Sequence, residues 1–301
     1  MVDYEPGIYG GVDTHLSTHV AAVVDSTGRI LATKSFPATS AGYVRLSAWM
    51  AGHGPVVRVG VEGTGAYGAG LARHLAEIGV EVVEVNRPNR QARRRRGKND
   101  TVDAEAAARA ALNGEATAIP KGHDGPVEAI RVLRIAFCST RNTRTRVGNQ
   151  LRDLVLTAPD ELRRILEPLS LDARVARGAR FLPGELTDPI EATKAAMRTL
   201  ARKHQSLTVD LDRLRGQLDT LTTAANPALR AATGIGPDVA SILLVAAGDN
   251  PERLTSDAAF AALCGASPVE ASTGKTVRHR LNQSGNRQAN HALWRIAMVR
   301  L

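Results

Sequence analysis

Residues 8–13 read Ile-Tyr-Gly-Gly-Val-Asp, residues 20–24 Val-Ala-Ala-Val-Val, residues 30–36 Ile-Leu-Ala-Thr-Lys-Ser-Phe, and residues 56–62 Val-Val-Arg-Val-Gly-Val-Glu. Ser26-Thr27-Gly28 forms a turn between the second and third runs, and two tight connections predict an antiparallel meander of three strands. Tyr43, Leu46, Trp49 and Met50 then fall at helical spacing, and the β-branched run Val56–Val61 reads as a buried fourth strand. A helix from about Tyr67 to Ile78, a fifth strand over Val80–Val85 and an Ala-rich helix from about Thr101 to Leu112 complete the order βββαβαβα, an α/β layer architecture.

Beyond this unit, Gly114, Pro120, Gly122 and Gly125 mark a linker, and the middle third reads as helix broken near Pro159, Pro168, Pro183 and Pro189. Its last helix carries Met197, Leu200, His204, Leu207, Leu211, Leu214, Leu218 and Leu221 at alternating spacings of three and four, a heptad seam with one polar member. Such a seam needs a partner helix, from this chain or from a second copy. From Asn226 the character changes: Gly234-Ile235-Gly236-Pro237 precedes an apolar helix over Val239–Ala247, a second helix runs from about Ser256 to Cys264, and a polar stretch Ser272–Arg287 leads into a final helix. The expected divisions are 1–125 (α/β domain), 126–222 (helical, coiled-coil connector) and 223–301 (mainly helical C-terminal domain).

The chain has 301 residues, 39 Lys plus Arg and 30 Asp plus Glu, for a formal charge of +9. Positive charge is concentrated in three acid-free windows, 87–98, 131–152 and 271–301, and they leave an acidic remainder. This pattern makes a polyanion, above all nucleic acid, the leading partner class. The candidate backbone contacts are Arg87, Arg90, Arg93, Arg94, Arg95, Arg96 and Lys98 in the first window, Arg141 and Arg144 in the second, and Lys275, Arg278, Arg280 and Arg287 in the third. Aromatic residues make up 3%, which argues against a base-stacking single-strand binder. Two cysteines, Cys138 and Cys264, exclude a disulfide framework and read as buried thiols. No apolar run approaches the ~18 residues of a membrane span, and a cytoplasmic protein is expected.

Four carboxylates stand out by position. Asp13 ends the first strand, Glu62 ends the fourth, and Asp100 and Asp103 open the helix after the basic segment, on one helical face. Singly, each has a bland reading as a strand end, an N-cap or a dipole partner. In a βββαβαβα sheet, however, the first and fourth strands are neighbours, and a helix packed on them can bring all four carboxylates together. Such a set calls for a cation, and hard oxygen ligands suit Mg²⁺ or Mn²⁺ in phosphoryl transfer.

Near the other end, Gly234-Ile235-Gly236 before a helix resembles a helix-hairpin-helix phosphate-binding turn, with simple helix packing as the alternative. Ser272-Thr273-Gly274-Lys275 reads as a polar turn or, functionally, as a nucleophilic hydroxyl beside Lys275, Arg278, Arg280 and Arg287.

Gly11-Val12-Asp13, Val61-Glu62-Gly63-Thr64-Gly65 and Lys98-Asn99-Asp100-Thr101-Val102-Asp103-Ala104 resemble the RuvC-like DEDD domain of the insertion sequence 110 family of transposases. Thr233-Gly234-Ile235-Gly236-Pro237, Ala262-Leu263-Cys264-Gly265-Ala266-Ser267-Pro268, Ala271-Ser272-Thr273-Gly274-Lys275 and Ser284-Gly285-Asn286-Arg287 resemble that family's C-terminal transposase domain. The resemblance implies an RNase H-like (RuvC-like) N-terminal fold and a recombinase whose Asp13, Glu62, Asp100 and Asp103 hold the metal and whose Ser272 joins covalently to DNA. It also implies a structured guide RNA that pairs with donor and target DNA, a composite site drawn from different subunits of a homo-oligomer, and a bacterial, nucleoid-associated setting. Many members place serine immediately before the glycine, where this chain has Thr273. Ser272 is preferred here because a branched Cβ crowds attack by threonine. Relatives usually continue past the final helix, so the C-terminal domain is expected to be truncated at Leu301.

An RNA-guided DNA recombinase is therefore the expected function. The alternatives are an RNase H-like metal-dependent nuclease of the junction-resolvase type, and a non-catalytic nucleic-acid-binding protein.

Overall fold

A computed structural model describes residues 6–85, 99–250 and 254–301. The contacts divide the chain into two compact units, one comprising residues 1–125 and 247–262 and the other residues 126–246 and 263–301.

The first unit is built on five strands, β1 (Ile8–Thr14), β2 (Thr18–Asp25), β3 (Ile30–Pro37), β4 (Val56–Glu62) and β5 (Glu81–Val85), in the spatial order β3-β2-β1-β4-β5. The first three strands pair antiparallel, whereas β1 with β4 and β4 with β5 pair parallel. The central strand β1 is buried along its whole length. The meander and the adjacency of β1 and β4 are as the apolar runs predict, and the fourth strand is buried at Val59–Val61 and half-buried elsewhere.

Alternation along the strands fixes what each sheet face meets. On one face, Val12, Val59, Val61 and Val82 form a core with Leu46 and Met50 of α1 (Ser40–Ala51) and Leu71 and Leu75 of α2 (Ala69–Glu77). On the other face, Gly11 and Gly60 sit side by side in the β1–β4 register, beneath α3 (Asp100–Leu112). A Cβ on Gly11 would overlap the backbone of Ala104 and Ala108, and one on Gly60 would lie 2.6 Å from the Ala107 carbonyl oxygen. The two glycines and the alanines Ala104, Ala107, Ala108 and Ala111 therefore let helix and sheet approach at backbone distance. That approach places the first turn of α3 at the carboxyl end of β1.

The second unit is centred on two long helices, α4 (Pro126–Thr157) and α7 (Pro189–Ala225), with α5 (Asp160–Leu166) and α6 (Leu171–Gly178) between them in sequence. Asp188 caps α7, its Oδ1 accepting from the Ile190 amide at 3.0 Å, and Pro189 occupies the first turn where no amide is needed. Leu211, Leu214 and Leu218 of the heptad seam pack on Ile130 and Phe137 of α4, and Met197 packs with Leu151 and Val155. The seam is thus satisfied within the chain by an antiparallel helical hairpin. It supplies no argument for a second copy.

Along the chain then follow α8 (Pro227–Ala231), α9 (Pro237–Ala247), α10 (Asp257–Leu263), whose residues up to 262 belong to the first unit, the short strands β6 (Val269–Glu270) and β7 (His279–Arg280), and α11 (Arg287–Arg300). Arg134 of α4 is buried and donates to Asp238 Oδ1 at 2.7 Å and Ser241 Oγ at 3.0 Å on α9, and to Gln288 Oε1 at 3.4 Å on α11. A buried guanidinium with these partners ties three helices to one another. Gly285 approaches Gly265 so closely that a Cβ on it would lie 2.7 Å from the Gly265 nitrogen, and the Asn286 amide donates to the Leu263 carbonyl at 2.7 Å. Cys264 is buried, which raises its thiol pKa, and Cys138 is half-buried. Among the described residues, no helix is long and apolar enough to cross a membrane.

Candidate functional site

Asp13 follows Gly11 by two residues on β1, and Glu62 follows Gly60 by two on β4, so the strand pleat aims both toward the α3 side of the sheet. The strand ends are tied together by Thr14, whose Oγ1 donates to the Glu62 carbonyl at 2.8 Å. Beyond Glu62 the chain turns sharply through Gly63, which adopts a left-handed φ of 68°, and the buried Thr64. On the helix side, Asn99 caps α3 by accepting from the Thr101 amide at 3.1 Å, which sets Asp100 and Asp103 in the first turn.

Asp13 is buried, and its Oδ2 lies 3.1 Å from Nε2 of His15. The same imidazole nitrogen lies 3.4 Å from Oδ1 of Asp100. One ligand atom from each of Asp13, His15 and Asp100 lies within 4.8 Å of the other two. Asp103, buried one turn further along α3, adds its negative charge. Burial raises the pKa of the Asp13 carboxyl; His15 opposes the rise, and Asp100 and Asp103 reinforce it. Glu62, half-buried, stands one register step beyond the Val12–Val61 pair, outside the three-residue cluster. Two carboxylates and an imidazole converging at a crowded, partly buried point have the donor chemistry of a divalent-cation site.

His15 was not among the sequence-predicted site residues. The signal was its position two residues after Asp13, the spacing that puts neighbours in an extended chain on one face. Only Asp100, brought in from 85 residues downstream, makes that spacing meaningful.

Ser272 lies in the second unit, on an exposed ribbon continuing β6 and β7. Its Oγ accepts from the Arg278 amide at 3.3 Å, and the Ala271 amide donates to the Arg278 carbonyl at 2.8 Å. Thr273 and Thr276 exchange two backbone hydrogen bonds of 3.1 Å around the two-residue turn Gly274-Lys275, with Gly274 at φ 58°. Successive residues of a ribbon face opposite sides, so the Ser272 and Thr273 hydroxyls do not share a face.

Lys275 in the turn, Arg278 and Arg280 on the returning strand, and Arg287 at the start of α11 are all exposed. Arg141 is held over the Phe137 ring at 6.0 Å, and Arg144 is half-buried on the same helix, α4. Arg87, Arg90, Arg93, Arg94, Arg95, Arg96 and Lys98 lie outside the described residues.

A DEDD transposase family model matches residues 10–158, the stretch that carries the carboxylate cluster. A second model, described as "Transposase IS116/IS110/IS902 family", matches residues 226–301. The chain belongs to the IS110 family of transposases. No curated protein matches the chain. The IS110 transposase is a DNA-processing enzyme, and DNA is its partner. Its Asp13–His15–Asp100 cluster is compatible with a divalent metal.

Proposed function

We propose that this IS110 transposase cuts and rejoins DNA by Mg²⁺-dependent phosphoryl transfer through a covalent serine–DNA intermediate, guided by a structured RNA. The observation that carries the reading is the convergence of Asp13 and Asp100 on His15 at the carboxyl end of the central strand, inside the segment matched by the DEDD model. Asp13, Glu62, Asp100 and Asp103 are the proposed ligands for Mg²⁺ or Mn²⁺, with His15 supporting Asp13 and Asp100. When bound, the cation supplies charge for a developing phosphorane and polarises the scissile phosphate.

The chain's own groups do the rest. Ser272 Oγ attacks the scissile phosphorus; the Oγ–P bond forms as the P–O bond to the departing strand breaks. The serine proton leaves to solvent, and the departing oxygen is released as a hydroxyl. In rejoining, a strand hydroxyl attacks the same phosphorus and returns the serine. The number of phosphodiester bonds is conserved, so no external energy source is needed. Lys275, Arg278, Arg280 and Arg287 neutralise the phosphate charge around the nucleophile. The guide RNA, a homo-oligomer and a site assembled from two subunits come from the family resemblance. With the heptad seam occupied by α4, subunit contact uses another surface of the helices.

The test uses full-length protein with the element ends as substrate. Asp13→Asn abolishes strand cleavage; cleavage at the wild-type rate in this variant rejects the metal reading. Ser272→Ala abolishes the covalent protein–DNA adduct while DNA binding persists. Adducts that survive in Ser272→Ala and disappear in Thr273→Ala move the nucleophile by one residue. Cleavage without any adduct in the wild type selects the junction-resolvase type of nuclease instead.

A further inference from the structure

Three guanidinium groups gather on one carboxylate in the second unit. Arg134 and Arg295 donate to Asp238 at 2.7 and 2.8 Å, and Arg141 lies 4.0 Å from it, beyond hydrogen-bond reach. Burial raises the Asp238 pKa, but the hydrogen bonds and charges of Arg134 and Arg295 outweigh it and hold the carboxyl below its ordinary value. One carboxylate neutralises one guanidinium, so the cluster keeps an excess of positive charge. Arg134 uses its donors on α9 and α11 and is buried. The excess falls on Arg141 and Arg295, whose side chains are 45% and 41% exposed.

These two arginines line a cavity of about 340 Å³, joined by Arg215 from α7. Arg215 has an ion pair with Asp212 at 3.2 Å, but both are more than half exposed, and such pairs contribute little. Phe137 forms part of the wall, and the Arg141 guanidinium lies over its ring at 6.0 Å. Gly234, Gly236 and Pro237 form another wall, beside Asp238, whose carboxylate is engaged by Arg134 and Arg295, and a Cβ on Gly236 would meet nothing within 4 Å, so this side is open. Three guanidinium forks from three helices around an open cavity match a tetrahedral oxyanion with several acceptor oxygens.

We infer that Arg141, Arg215 and Arg295 form a phosphate-binding pocket for the backbone of a nucleic acid strand, built from residues that neither the carboxylate cluster nor the Ser272 ribbon uses. The inference rests on the recombinase reading only for the polymer to which the phosphate belongs. DNA and the guide RNA offer the same group, and two probes separate them.

The experiment measures fluorescence anisotropy of full-length protein with a labelled DNA duplex and with a labelled RNA hairpin. EDTA is present so that the metal site is silent, and the salt concentration is varied. The variants are Arg141→Gln, Arg215→Gln and the double variant; Arg295 is left in place because it holds Asp238. Arg213→Gln, on an exposed part of α7, is the charge control. On the probe that occupies the pocket, the slope of log affinity against log salt falls by roughly one for each arginine removed. Affinity at moderate salt falls by about tenfold per arginine, with an unchanged thermal midpoint, while Arg213→Gln keeps the wild-type slope. A double variant that folds normally and keeps the wild-type slope on both probes overturns the pocket and leaves the recombinase reading standing. A wild-type chain that binds neither probe overturns both.

Discussion

The carboxylate cluster and the Ser272 ribbon carry the two halves of the proposed chemistry, yet the protein builds them in opposite ways. Asp13 is buried at the end of a fully buried strand, beneath a helix seated on Gly11 and Gly60 at backbone distance. Ser272 is exposed, on a ribbon whose named strands are two residues each. The cluster is positioned by core packing, which tolerates little change of volume. The ribbon is positioned by a few backbone hydrogen bonds around one turn. A tightly packed carboxylate cluster and an exposed hydroxyl-bearing ribbon are the two parts that the proposed reaction requires.

That contrast can be broken most severely at Gly11. Gly11→Val drives a side chain into the backbone of Ala104 and Ala108, and a loss of more than about 3 kcal/mol is expected, read from the denaturant midpoint. A loss below about 1 kcal/mol would mean that α3 is not seated as described. Next in size is Arg134→Met. It removes a buried donor from Asp238, Ser241 and Gln288, with an expected cost of roughly 2–4 kcal/mol in the same measurement.

Metal dependence sharpens the comparison at the rigid end. In chelator, Asp13→Asn is expected to melt no lower than the wild type, because it removes one of several crowded negative charges. Added Mn²⁺ raises the wild-type midpoint by mass action and leaves that of Asp13→Asn unmoved. Scanning fluorimetry with and without the ion checks both outcomes.

A smaller effect belongs to the helical hairpin. His204 is buried in the seam; burial first, then Arg144, holds its pKa below the usual imidazole value, and Asp172 opposes them. The unfolded chain therefore binds the proton more readily. Stability is full above the unfolded pKa of 6.5 and is lost as pH falls below it toward the folded value. His204→Leu is expected to flatten this part of the pH–stability curve. The smallest effect is at the ribbon, where Ser272→Ala changes the midpoint by no more than about 0.5 kcal/mol while abolishing the adduct. A large destabilisation there would show the ribbon to be part of the core.

Much of this was legible along the chain. Alternating and continuous apolar runs define the strands, and the order of connections puts β1 beside β4, which brings Asp13 and Glu62 to one sheet end. The position of Asp100 and Asp103 in one helical turn followed from spacing. His15 was missed because its partner Asp100 is remote in sequence. The union of Arg141, Arg215 and Arg295 leaves no mark in the sequence, because three helices far apart in the chain contribute one residue each. Nothing local to Gly11 or Gly60 announces the helix that packs on them at backbone distance.

By itself, the sequence determined the elements and the faces they bury, because periods of two and of three-to-four residues are local properties of strand and helix geometry. Only the tertiary structure decided which faces meet. The heptad seam from Met197 to Leu221 calls equally for α4 or for a second copy, and the choice of α4 depends on long-range packing that no local period encodes. The metal-compatible cluster is the same case: Asp13 and Asp100 are separated along the chain, and what joins them is the bare glycine surface that lets α3 descend onto the sheet.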